Sequence, residues 1–141
     1  MHEQFRRHGS TGQAKKILGI RVVRLPDESP DVSYLEDSGR WKGEDGILHE
    51  PYRAADLERL DAFHRGEWGM IGIQAVADIL VGGVQQEIAS GGLWGIEDDS
   101  DSKYLIEVGE EELSALSSLL EDLGFKPVAI KDAVKQARWE L

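Results

Sequence analysis

Ten carboxylates and a single base, Lys103, lie between Glu97 and Asp122, a net charge of −9 in 26 residues. Carboxylates this concentrated suit three kinds of chemistry: coordination of a hard cation, acid/base work by a pair, or docking on a basic partner. The cation reading is tested by frame. Counted from Asp99, Asp101 and Glu110 fall at positions three and twelve of a calcium loop, but Lys103 and Tyr104 occupy positions five and six, where a ligand and a glycine are required. A glycosidase-type pair is formally available, yet 27 acids in one chain produce such pairs by chance. Docking is the reading that uses the pattern as it stands. Asp98, Asp99 and Asp101 sit on a predicted turn, and Glu107, Glu110 and Glu111 recur at i, i+3 and i+4 on a predicted helix. An ordinary solvated helix face would carry the same spacing, so these six residues are candidates for partner binding rather than an established site.

No catalytic residue and no cofactor site is expected. The chain has no cysteine, hence no thiol nucleophile and no cysteine-type zinc site. No phosphate-cradling G-x-x-x-x-G-K-[ST] occurs, and Ser90 before Gly91-Gly92 reads as a turn residue rather than a nucleophile elbow. His49-Glu50 does not continue to H-E-x-x-H, and His2, His8 and His64 share no spacing that would bring two to one face. A small metal-dependent enzyme using the carboxylates at 97–101 is the alternative function, and a self-associating accessory protein a second alternative. Of four tryptophans, Trp94 lies among apolar neighbours and is expected in the core. Trp41 lies in a polar stretch and is the candidate exposed anchor.

Strands and helices must position these residues. Ile17 to Leu25 is β-branched and roughly alternating up to Pro26, and Met70 to Val81 alternates Ile71, Ile73, Ala75, Ala77, Ile79 and Val81. Gly82-Gly83 predicts a two-residue hairpin returning through Val84 to Ala89, with a short strand over 93–97 beyond Ser90-Gly91-Gly92. Three-to-four spacing predicts a helix over 54–65 ended by Gly66, and a leucine-striped helix after Asp101 closed by Gly124 and Phe125. A last helix is expected from Pro127 to near Trp139. The stretch from Asp27 to Pro51, with two of the four prolines, reads as a long surface connection. The expected fold is α+β: an antiparallel sheet of about four strands with helices packed on one face.

A length of 141 residues suits one domain. Residues 1–16 read as a flexible basic leader, and 17–141 as a single acidic domain. The net charge of −11 repels nucleic acid and anionic membranes and attracts basic protein surfaces. Neither direct nucleic-acid binding nor membrane association is expected. No apolar run approaches the roughly 20 residues that span a bilayer, and a cytoplasmic address is the natural expectation.

The blocks Met70-Ile71-Gly72-Ile73-Gln74-Ala75, Ser90-Gly91-Gly92-Leu93-Trp94-Gly95-Ile96-Glu97 and Leu123-Gly124-Phe125, with Tyr34-Leu35 upstream, resemble a family of small uncharacterised acidic proteins carried by phages, plasmids and related mobile elements. The resemblance covers roughly residues 17–36 and 66–125 and implies a setting more than an activity. In that setting the docking reading becomes a non-enzymatic binding module, such as an anti-CRISPR or anti-restriction inhibitor that occupies the nucleic-acid-binding surface of a host defence protein.

Overall fold

A computed structural model describes residues 14–36 and 41–141. Along the chain run β1 (Lys15–Pro26), a 3-10 turn (Ser33–Leu35), α1 (Glu50–His64), β2 (Met70–Val81), β3 (Val84–Ala89), β4 (Leu93–Glu97), α2 (Ser102–Asp122), α3 (Pro127–Lys135) and β5 (Arg138–Glu140). The strands form one mostly antiparallel sheet in the order β3-β2-β1-β5, with β4 also pairing β2, so the α+β class read from the sequence holds. Of the predicted leader, residues 1–13 lie outside the described residues, whereas Lys15 and Lys16 open β1. No helix among the described residues is long and apolar enough to cross a membrane.

The chain divides into two compact units. One comprises Gly72–Trp94, Asp101–Leu141 and the described part of Met1–Leu25; the other comprises Pro26–Ile71 and Gly95–Ser100. In the first unit, the period of two sends Ile20 and Val22 of β1 and Ile73, Ala75, Ala77 and Ile79 of β2 into the core. Leu105, Val108, Leu113, Leu116 and Leu120 of α2 cover them, at the three-to-four spacing that makes one apolar stripe. Each fully buried leucine, such as Leu116, contributes about 1.5–3 kcal/mol from removal of apolar surface from water. Gly109 on α2 is required by packing: a Cβ there would lie 2.4 Å from the Trp139 ring.

Local chemistry ends these elements where the sequence says it should. Gly82 and Gly83 adopt φ of 56° and 82°, the left-handed pair of a type I′ hairpin. At the end of α2, Gly124 has φ 92°, its N–H donates to Glu121 O, and the Phe125 N–H reaches back to Leu120 O; this is a Schellman closure with Phe125 buried behind it. The final segment departs from expectation. The last helix stops at Lys135, and Arg138–Glu140 is a strand that pairs in parallel with Arg21–Val23. Val134 and Ala137 continue the helical spacing, so periodicity alone extends the helix. Pairing with a remote strand overrides it.

The second unit has its own core of Leu35, Trp68 and Met70, joined by Val32, Leu60, Ala62 and Phe63. Helix α1 begins at Glu50 rather than near Ala54, because Pro51 stands in its first turn, where its fixed φ suits a helix and no N–H is needed. It ends in a second Schellman closure: Gly66 (φ 76°) donates to Phe63 O and Glu67 to Ala62 O. The predicted connection from Asp27 to Pro51 carries the 3-10 turn and a Lys42–Leu48 bridge among its described residues.

Candidate functional site

The candidate partner-binding residues fall into three groups with different occupations. Asp98 and Asp99 belong to the second unit, on the turn after β4. The Asp98 N–H donates to Gly69 O at 2.9 Å and its side chain is half-buried. Asp99 is gripped by Arg59 of α1 in a two-pronged pair, Nη1 to Oδ2 at 2.8 Å and Nη2 to Oδ1 at 2.7 Å. The same guanidinium donates from Nη2 and Nε to Glu97 Oε1 at 2.5 and 3.2 Å, while the Tyr34 hydroxyl donates to Glu97 Oε2 at 3.0 Å. Trp68 completes the arrangement: Arg59 stacks 3.7 Å above its ring, and the indole N–H donates to the Arg59 carbonyl at 2.9 Å.

Electrostatics follow from these contacts. Hydrogen bonding to Arg59 holds the Asp99 carboxyl below its ordinary value. Desolvation, then donation to the Glu97 carboxylate, pushes the Tyr34 phenol up to about 12. Two of the carboxylates offered for a cation at 97–101 are therefore engaged by an internal cation. Among the described residues no three His, Asp or Glu side chains converge as a metal ion would need.

Asp101 belongs to the first unit and caps α2, its Oδ1 accepting the Lys103 N–H at 3.3 Å. Glu107, Glu110 and Glu111 stand exposed farther along α2. None of the three makes a hydrogen bond or ion pair with a described residue, and the large apolar side chains of Tyr104 and Ile106, 44% and 48% exposed, share their stretch of helix. Trp41 is half-buried in the second unit, with its indole N–H donating to the buried Asp56 carboxylate at 2.7 Å.

Trp94 reverses its expected place. It is 42% exposed, and its ring rests on Gly72, where a Cβ would come within 2.1 Å of it. Its surroundings are set by an interruption between β3 and β4. At Ser90 the hydroxyl accepts the Ala75 N–H (2.9 Å) and donates to Glu112 Oε1 (2.7 Å), so a side chain replaces one rung of the ladder. Glu112 Oε1 also accepts the Gly92 N–H at 2.8 Å, and Gln74 Nε2 donates to Ser90 O at 2.8 Å. Ser90 is 1% exposed with both hydrogen-bonding capacities of its hydroxyl used, which fits a structural part and not a nucleophile. Glu112, counted in the sequence as one more acid of the run, is the residue that fastens α2 to this interruption.

Sequence reasoning also missed a basic cleft in the first unit. A cavity of about 990 Å3 opens along β1 and α3, and its lining holds Lys15, Lys16, Arg21, Lys126 and Arg138 against the two acids Asp78 and Asp132. Its cations come from two segments of the chain more than 100 residues apart. Lys15 and Lys16 read as part of a leader, Lys126 as the residue before the last helix and Arg138 as part of that helix, and no spacing rule connects them. Comparison of the chain with protein families, with curated proteins and with solved structures finds no match.

Proposed function

We propose that this chain is a non-enzymatic protein-binding module that presents the exposed side of α2 to a basic surface. One observation carries the reading: of the ten acids between Glu97 and Asp122, Glu107, Glu110 and Glu111 lie together on α2, exposed and engaged by no described residue, beside exposed Tyr104 and Ile106. Other acids in the run already have internal work, Glu97 and Asp99 on Arg59, Asp101 at the helix cap and Glu112 at Ser90. Adjacent like charges cost an isolated helix a few tenths of a kcal/mol per pair, a cost that a cationic partner would reverse. Exposed aromatic and aliphatic side chains among them supply the apolar anchors that charges alone lack. In the setting implied by the resemblance to mobile-element proteins, the nucleic-acid-binding surface of a host defence protein is a basic surface of this kind, and its occupation would inhibit the defence.

Capture on the immobilised protein from host lysate, with elution by a salt gradient, tests the reading when paired with the variant Glu107→Lys/Glu110→Lys/Glu111→Lys. The expected result is a basic nucleic-acid-binding protein that leaves the column as salt rises, whose nucleic-acid binding the purified wild-type chain blocks. The triple variant should fold normally and bind that partner at least tenfold more weakly, with a flatter dependence of on-rate on salt. Equal affinity and equal salt dependence for the variant would overturn the assignment of α2.

A further inference from the structure

We infer that the cleft along β1 is a peptide-binding groove that takes an extended acidic segment of another protein as an added strand. Its geometry is that of a sheet edge. Seven consecutive residues, Lys15 to Arg21, line the cavity. Neighbouring side chains of a strand point to opposite faces, so a cavity lined by every residue in a run follows the strand's edge, and this one also reaches over the adjoining sheet face to Asp78 of β2 and Gln85 of β3. That edge is open for most of its length: β5 is three residues long and pairs β1 only at Arg21–Val23, leaving Lys15–Ile20 with no strand on that side among the described residues. Six residues at about 3.3 Å each give some 20 Å of backbone donors and acceptors. The opposite wall is α3, which offers Ala129, Asp132 and Ala133, with the residues that flank the helix, Lys126 and Gln136, at either end. Strand addition to an edge beside a helix is an established way of reading peptides, with main-chain bonds for affinity and alternate side chains for specificity.

Charge identifies the occupant. Five cations against two acids make the lining net +3 on a chain whose overall charge is −11. Some are partly engaged: Arg21 pairs with Asp78 and Glu87, Arg138 with Glu140 at 3.5 Å, and Lys15 Nζ donates to Leu123 O at 2.5 Å. Lys16 and Lys126, one on each wall, have no partner among the described residues. A second copy entering by its own β1 would set Lys15 and Lys16 against their duplicates, the arrangement by which lysines protect exposed edges from self-pairing. Residues 1–13 carry Arg6 and Arg7 against Glu3 and have the wrong sign as well. An acidic strand from another protein meets both the backbone and the charge.

The test is fluorescence polarisation of a labelled eight-residue peptide of alternating Glu and Val, binding to the full chain. Three competitors accompany it: the Lys/Val counterpart, the Glu/Val peptide N-methylated at alternate residues, and tripolyphosphate. Saturable binding is expected for the Glu/Val peptide, at least tenfold tighter than for either modified peptide, with the β1 amides slowed at least tenfold in hydrogen exchange when it is bound. Lys16→Glu/Lys126→Glu, with unchanged circular dichroism and melting, should weaken binding at least tenfold. Glu107→Lys/Glu110→Lys/Glu111→Lys should leave peptide affinity unreduced, which separates this groove from the α2 surface. Equal binding of the N-methylated peptide would exclude strand addition, and displacement by tripolyphosphate at equal or lower concentration would reduce the cleft to a general anion site. Absence of saturable binding, or a concentration-dependent increase in mass abolished by Lys16→Glu, would also overturn the proposal.

Discussion

Glu112 illustrates how one carboxylate in an acidic run can differ from its neighbours. Its Oε1 accepts from the Ser90 hydroxyl and the Gly92 N–H, and Ser90 is almost wholly buried. Glu112→Ala should therefore destabilise the chain by about 1–3 kcal/mol, the cost of stranding a buried donor, whereas Glu111→Ala, one residue away and exposed, should change stability by no more than about 0.5 kcal/mol. Urea denaturation of the two variants reads the contrast directly, and equal effects would mean that the Ser90 contact contributes nothing. Asp99 is a second case, with a pH signature. Because Arg59 holds its carboxyl below the ordinary value of 3.8, the folded chain binds fewer protons there than the unfolded one. The stabilisation is complete well above 3.8 and is lost as pH falls through the lower folded value. Asp99→Asn should be less stable than wild type at pH 7, and the gap should narrow as pH falls below 3.8; a gap independent of pH would show that the ion pair is not its source.

At the scale of elements, the hairpin between β2 and β3 depends on two residues with no side chain. Gly82 at φ 56° is in the left-handed region that L residues avoid, and a β-branched side chain is the least tolerant of it. Gly82→Val should cost about 1–2 kcal/mol or more, and Gly82→Asn much less, since Asn visits that region readily. Thermal melting of both variants checks the order, and a Val variant as stable as the Asn variant would contradict the turn type. The interruption at Ser90–Gly92 is a different device. There the ladder is continued by a hydroxyl and anchored by a carboxylate from α2, so the strand pair and the helix hold one another in register.

For the molecule as a whole, charge dominates. A net −11 with ten acids between Glu97 and Asp122 makes self-repulsion a destabilising term that salt screens over about 10 Å at 0.1 M. The melting temperature should rise as ionic strength increases from about 0.01 to 0.15 M, where the Debye length falls from about 30 to 8 Å. Reversing Glu107, Glu110 and Glu111 to Lys changes the net charge from −11 to −5 and should flatten that rise. Calorimetric scans at the two salt levels decide it; a steeper rise in the variant would place the repulsion elsewhere. The same charge makes the cleft along β1 distinctive, since five of the chain's 16 Lys and Arg residues line it.

The sequence by itself determined what depends on near neighbours. Alternation of Ile71, Ile73, Ala75, Ala77 and Ile79 specifies a strand because side chains repeat every two residues, and Gly124-Phe125 specifies a helix end because the left-handed cap and its closure are adjacent in the chain. The α+β class follows from such local signals taken together. Tertiary structure alone decided which charges meet. Arg59 finds Glu97 and Asp99 across 38 and 40 residues, Glu112 finds Ser90 across 22, and Arg138 comes beside Arg21 although the local spacing favours helix. The core position expected for Trp94 fails for the same reason: the missing Cβ of Gly72, 22 residues away, gives its ring a seat on the surface. Periodicity reports which face of an element a residue occupies. It carries no information about what the opposite element brings to that face.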